Sequence, residues 1–144
     1  MTTTSTTTPL EVGAALRAWD LPVSPTLIVS TAIATRDFQD VHHDRDLAVE
    51  RGSKDIFLNI LTTTGLVQRY VTDKLGHDVL VRGIKIRLGA PAYPHDTLTF
   101  TGRVAEEVET DGERRFLVDV RGSNSLGAHV TGTVTVARPG EAGA

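Results

Sequence analysis

An aspartate and a histidine stand five residues apart in Asp37-Phe38-Gln39-Asp40-Val41-His42-His43-Asp44. A carboxylate that can take a proton, beside an imidazole that can give one, is the minimum equipment for moving water across an activated double bond. Spacing alone does not separate that chemistry from a polar turn with a helix cap, because Asp serves both. The flanking elements therefore matter. Before the stretch, residues 27–33 form a β-branched run that reads as a strand with Leu27, Val29, Thr31 and Ile33 on one face. Pro22 and Pro25 ahead of it break any helix. After the stretch, Asp44 is the candidate N-cap of a short helix over residues 45–51.

Gly52 and Ser53 lead into the main helix, predicted over residues 54–75. Phe57, Leu61, Thr64, Gln68, Val71 and Leu75 recur at threes and fours, and so do Ile60, Thr64, Val67 and Val71. Such a broad face suits a helix enclosed by a sheet. Thr62, Thr63 and Thr64 are poor helix formers, so packing must hold the segment helical. Lys74 and Gly76 supply its stop.

Everything after Gly76 reads as strand. Ile84, Ile86 and Leu88 alternate with Lys85 and Arg87, and Leu98, Phe100, Gly102 and Val104 alternate within residues 97–109. Phe116, Val118 and Val120 share one face, as do Val130, Val134 and Val136. Asp111-Gly112 is a hairpin signal, and residues 123–127 form a second turn. Residues 10–19 carry apolar side chains in no pattern that fixes an element. One long helix, one strand before it and four after it make an α+β domain whose antiparallel sheet must wrap that helix.

At 144 residues, with 40% hydrophobic and 23% charged residues, the chain has the size and balance of one soluble domain. We expect the domain over residues 10–138, with a disordered Thr-rich tail at 1–9 in place of a signal peptide and a flexible tail at 139–144. Cysteine is absent, which removes disulfides and thiolate chemistry and fits a cytoplasmic location. A net charge of −3 without a basic stripe argues against nucleic acid. No apolar run approaches the ~20 residues of a membrane span.

With these elements in place, the sequence resembles the MaoC-like hydratases, whose hot-dog fold curves an antiparallel sheet around a central helix. Their signature Asp-x-Asn-Pro-hydrophobic-His-x-Asp matches residues 37–44, with Gln39 for Asn and Asp40 for Pro. A second motif, Pro-x-x-Pro-Gly-Asp-Thr, matches Pro91-Ala92-Tyr93-Pro94-His95-Asp96-Thr97, with His for Gly. A third matches Asn124, Gly127 and Val130-Thr131-Gly132. The resemblance covers residues 24–137. A narrower branch is similar in Ile28-Val-Ser-Thr-Ala32, in residues 36–46, in Gly52-Ser-Lys-Asp-Ile56, in Asn59-Ile-Leu61 and in residues 64–73. It comprises the small MaoC-like subunits of actinobacterial steroid side-chain enoyl-CoA hydratases, used in cholesterol breakdown.

That resemblance implies hydration of an unsaturated steroid side-chain CoA thioester of the 3-oxo-4,17-pregnadiene-20-carboxyl-CoA type. By carry-over, Asp37 is the base, and His42 orients the water and shares the proton delivery. The family's oxyanion donor, a backbone N–H at the helix start, falls at Asn59. Burial is expected to make Asp37 more basic. No cofactor is implied, since CoA belongs to the substrate. The implied partner is a larger subunit joining a second MaoC-like domain to an OB-fold acyl-CoA-binding domain, two of each in a heterotetramer. A thiolase-like aldolase would act on the product.

Arg82, Lys85 and Arg87 are the candidates for the CoA phosphates, although a solvated strand face reads the same way. In this family the CoA groove crosses a subunit interface, so those contacts can belong to the partner. No metal is expected, because His42, His43 and Asp44 point apart in an extended segment and the reaction needs none. Asp40 reads as a local cap or ion-pair partner, and His77, His95 and His129 as solvent-facing. Two alternatives remain open, a hot-dog thioesterase and a non-catalytic scaffold subunit.

Overall fold

The computed structural model describes residues 7–139. The expected tails therefore fall largely outside the described residues, although the Thr8 N–H is docked on the Lys74 carbonyl at 2.8 Å. Five strands form one antiparallel sheet: β1 (Ala15–Pro22), β2 (Leu80–Leu88), β3 (Thr97–Thr110), β4 (Glu113–Asn124) and β5 (Gly127–Ala137). Their order across the sheet is β1-β3-β4-β5-β2. Three helices precede β2: α1 (Pro25–Ala34), α2 (Arg45–Glu50) and α3 (Ile60–Leu75), with a 3-10 turn at Asp40–His42.

The alternation expected of β3, β4 and β5 is observed, whereas in β2 Ile84 and Ile86 are half-buried and Leu88 is 41% exposed. Phe100, Val104, Phe116, Val118, Val120, Val130, Val134 and Val136 are buried on the face that receives α3. All four strand pairings carry a shift of register, such as that between Leu16 and Trp19 and that between Val104 and Glu106. Bulges of this kind bend the strands and let the sheet curl around a helix. Trp19 stacks on Phe100 at 5.3 Å and Phe100 on Tyr70 at 5.7 Å, so three rings tie β1 and β3 to α3. The Tyr70 hydroxyl donates to the Arg17 carbonyl at 3.0 Å, and burial pushes its pKa up to about 12.

Residues 27–33 are helical, which corrects the strand expected there. Ser24 caps α1 by accepting the Leu27 N–H at 3.0 Å, and Pro25 occupies the first turn, where its missing N–H costs nothing. Thr31 and Thr35 turn their hydroxyls onto the Leu27 and Thr31 carbonyls at 2.6 and 2.8 Å, satisfying them within the helix. Ile28 and Ala32, four residues apart, are the buried pair. The strand that precedes the helices is β1, from the segment whose pattern fixed no element.

The main helix also begins later than expected, at Ile60. Residues 54–59 run extended, with the Phe57 N–H on the Val41 carbonyl at 3.2 Å and the Leu58 N–H on the Ala92 carbonyl at 3.1 Å. The buried face of α3 is Thr62, Thr63, Leu66, Val67, Tyr70, Val71 and Leu75, whereas Ile60 and Leu61 are each 53% exposed. Gly76 ends the helix at φ 107°, and its N–H closes on the Thr72 carbonyl.

Candidate active site

Two chain reversals bring the chemistry together. The end of α1 hands the chain to Asp37 through an Asp37 N–H on the Ala32 carbonyl at 2.9 Å. The 3-10 turn then swings His42 inward, and Asp44 starts α2 by accepting the Leu47 N–H at 3.1 Å. His42 Nε2 lies 3.4 Å from Asp37 Oδ2. The other ring nitrogen, Nδ1, sits 2.7 Å from the Phe57 carbonyl oxygen. A carbonyl only accepts, so Nδ1 carries hydrogen and Nε2 is the nitrogen that faces the carboxylate. The ring is 5% exposed and its edge rests against Phe57 at 4.9 Å. His42 is therefore fixed in tautomer and in direction.

The carboxylate is held as firmly. Asp37 Oδ1 accepts the Gln39 N–H at 3.3 Å, and Oδ2 accepts Asn59 Nδ2 at 3.1 Å. His43 Nε2 donates to the Asp37 backbone carbonyl at 2.6 Å. Burial raises the Asp37 pKa, but the Asn59 amide, the Gln39 N–H and the charges of His42 and His43 together outweigh it. The net direction is downward, opposite to the basicity expected from burial alone. Asp37 stands as an ionised carboxylate.

Asn59 is 2% exposed at the junction of α1 and α3. Its Oδ1 caps α3 by accepting the Thr62 N–H at 3.1 Å, while Nδ2 donates both to Asp37 and to Thr35 Oγ1, the latter at 2.8 Å. Its own backbone N–H has no acceptor among the described residues, nor has the buried Thr62 hydroxyl. The sequence pointed to the Asn59 backbone and missed its side chain. An Asn directly before the apolar residues Ile60 and Leu61 is the N-cap signal that would have set the helix start correctly.

The second and third motifs hold the neighbouring loops. Asp96 accepts the Ser125 hydroxyl at 2.6 Å and the Thr97 N–H at 2.8 Å, which hold its pKa down despite partial burial. Asn124 Nδ2 donates to the Pro91 carbonyl at 3.0 Å. Together they fix the loop whose Ala92 carbonyl receives Leu58, one residue before Asn59.

His129 does not face solvent as expected. It is 3% exposed, with Nδ1 donating to the Ala90 carbonyl at 2.7 Å and Nε2 accepting from the Thr63 hydroxyl at 2.8 Å. A register shift between β4 and β5, where Gly122 pairs with Val130 but Ser123 with Ala128, makes His129 the extra residue of the strand, and alternation gave no sign of this. Burial lowers its pKa. His77 and His95 are exposed, and Asp40 pairs with Arg51.

The three cations lie apart from this cluster. Arg82 is bound bidentately to Glu113 at 2.9 and 2.7 Å, near the far end of β2, about 20 Å of strand from Leu88. Arg82 and Arg115 together hold the Glu113 pKa down at about 2. Lys85 and Arg87 stand opposite Thr133 and Thr131 on the face of the sheet away from α3. Around Asp37, three large apolar side chains lie exposed alongside Arg36 and Gln39: Phe38, 69% exposed and stacked on His43, with Ile60 and Leu61 at the helix start.

Comparison with known proteins places this arrangement. Over 123 residues the chain is 59% identical to the 3-oxo-4,17-pregnadiene-20-carboxyl-CoA hydratase beta subunit of Mycobacterium tuberculosis, covering 85% of this chain and 92% of that one. The chain is a MaoC-like hot-dog hydratase of that beta-subunit family. A chain of the ChsH1-ChsH2 complex from Mycobacterium tuberculosis superposes on this hydratase with a TM-score of 0.82 at 58% identity, covering 89% of this chain and 98% of that one. The fold is shared more widely, as with the R-hydratase PhaJ1 of Pseudomonas aeruginosa, at TM-score 0.79, 20% identity and coverage of 91% and 83%. No family model matches the chain.

Proposed function

We propose that this protein is the catalytic small subunit of a heteromeric 2-enoyl-CoA hydratase acting on an unsaturated steroid side-chain CoA thioester, the 3-oxo-4,17-pregnadiene-20-carboxyl-CoA that its relative's name specifies. The observation that carries the catalytic role is the Asp37–His42 pair, complete within this chain at 3.4 Å with His42 Nε2 turned to the carboxylate. A scaffold subunit relieved of chemistry has no reason to keep a fixed tautomer against a hydrogen-bonded carboxylate.

The reaction needs a water held between Asp37 Oδ2 and His42 Nε2, over C3 of the enoyl thioester. Asp37 takes a proton as the water oxygen bonds to C3, and the double-bond electrons move onto the thioester oxygen. The Asn59 N–H, at the positive end of α3, receives that charge. The proton on Asp37 then passes to His42 Nε2, and that Nε2–H protonates C2, which returns both residues to their starting state. Atoms balance as one water added, and the dehydration runs the same steps backward. The chemistry draws on no cofactor, as CoA arrives with the substrate.

The cations on the sheet leave the CoA phosphates to a second chain. We place there the larger subunit, a MaoC-like domain joined to an OB-fold acyl-CoA-binding domain, two of each chain per assembly. A thiolase-like aldolase consumes the product, in the cytoplasm. The test is hydration of 3-oxo-4,17-pregnadiene-20-carboxyl-CoA by the two subunits produced together, read by loss of enoyl-thioester absorbance and by product mass. Asp37→Asn and His42→Ala should each lower the rate by about 10²–10⁴-fold with assembly intact. Full activity in both variants would move the active site to the partner, and release of free CoA without water addition would indicate a thioesterase.

A further inference from the structure

One carboxamide does three jobs at the junction of α1, α3 and Asp37. We propose that the Asn59 side chain is a positioning residue for the base, its Nδ2–H holding Asp37 Oδ2 toward His42 while its Oδ1 caps the catalytic helix. This inference rests on Asp37 being the base, and it goes beyond the backbone role given to Asn59 above.

The orientation of the amide is over-determined. Oδ1 takes the Thr62 N–H at 3.1 Å, so Nδ2 must point away from the helix, where its two hydrogens find Thr35 Oγ1 at 2.8 Å and Asp37 Oδ2 at 3.1 Å. A flipped amide would set Oδ1 against the carboxylate and leave the Thr62 N–H without an acceptor. Thr35 is itself anchored, its hydroxyl donating to the Thr31 carbonyl at 2.8 Å. The carboxylate is thus referred to both helices at once through one planar group. Asn59 is also 2% exposed, so its hydrogen bond to Asp37 is made away from bulk solvent.

The charged and titratable groups that face Asp37 are His42 on the 3-10 turn and His43 just beyond it, with the Gln39 N–H from its own loop. From α3 the contact is Asn59 alone. Removing that donor takes away the hydrogen bond that most opposes the effect of burial, so Asp37 should protonate at higher pH. It should also lose the lateral hold that keeps Oδ2 facing Nε2.

Two substitutions separate positioning from capping. Serine caps a helix about as well as asparagine but is too short to reach Asp37. Aspartate keeps the length and caps as well, yet puts an acceptor and a like charge where Nδ2 donates. Both leave the backbone N–H in place. In the two-subunit enzyme, Asn59→Ser should lower kcat/KM by roughly 10–100-fold, chiefly in kcat, and move the acid limb of the pH profile upward. Asn59→Asp should lose more and shift the limb further, an order that capping strength does not produce. Asp37→Asn is measured alongside. Wild-type rates and an unmoved acid limb in Asn59→Ser, with Asp37→Asn inactive, would overturn this inference alone. Equal losses in both Asn59 variants that track melting temperature, with no shift of the limb, would likewise reduce Asn59 to a cap. An active Asp37→Asn enzyme would instead remove the reading on which the inference stands.

Discussion

Three of the five histidines occupy settings that spacing does not distinguish. His42 meets a carboxylate, His43 holds a backbone carbonyl, and His129 is buried between Thr63 and Ala90. The last makes stability depend on pH with a definite sign. In the unfolded chain the imidazole takes a proton near its usual 6.5, whereas in the folded protein burial delays it. Stability is therefore full above about pH 6.5 and falls as pH drops toward the lowered folded value, by at most ~1.4 kcal/mol per pH unit. Thermal melts between pH 7.5 and 5 should show that slope in the wild type and a shallower one in His129→Gln, and parallel curves would contradict it. Asp37 is shifted in the same direction, below its usual value of 3.8. Its stabilisation is present above that pH and lost as pH falls below it.

Among the elements, α1 shows how a sequence pattern can favour the wrong period. Leu27, Val29, Thr31 and Ile33 alternate like a strand, and β-branched residues favour one. The cap decided otherwise. Ser24 and Pro25 start a helix, and Ile28 and Ala32 give it the four-residue spacing needed to bury one stripe. Ser24→Ala should therefore destabilise the protein by ~1 kcal/mol in chemical denaturation, and no change would mean that packing alone holds α1. The motif glycine of β5 is set by its neighbour. A Cβ on Gly132 would stand 2.3 Å from the Lys85 carbonyl oxygen and 2.9 Å from the Ile86 side chain. Gly132→Ala should push β2 from β5 at a cost of ~1–3 kcal/mol, visible as a lower denaturation midpoint. The exposed Gly65 of α3 has nothing within 4 Å, so the same change there should be neutral or slightly stabilising.

At the scale of the whole molecule, the proposed catalytic pair is complete within one chain, whereas the cations proposed for the CoA phosphates stand away from it. Asp37, His42 and Asn59 all come from one chain, yet Lys85 and Arg87 sit on the opposite side of the sheet and Arg82 is spoken for by Glu113. Apolar Phe38, Ile60 and Leu61 lie open beside the pair, an arrangement that favours cover by substrate or partner. Among the described residues no helix is long and apolar enough to cross a membrane. Sedimentation of the co-produced subunits should give one boundary faster than either chain alone. Two independent boundaries would count against the heteromer.

The sequence by itself determined the α+β class, the last four strands with the inward faces of β3, β4 and β5, the short helix capped by Asp44 and the residues that carry the family likeness. These are periodicities and short motifs, in which each residue's neighbours along the chain suffice. Tertiary structure decided the rest. Residues 27–33 became helix because burial of Ile28 and Ala32 joined the Ser24 cap in overriding the strand-like alternation. His129 was placed by a register shift between β4 and β5, and the lowered pKa of Asp37 by donors from Asn59 and Gln39 acting against burial. Asn59 caps Thr62 locally, but it acquired Thr35 and Asp37 only when α1 and α3 met, contacts across 24 and 22 residues of chain that no local pattern encodes.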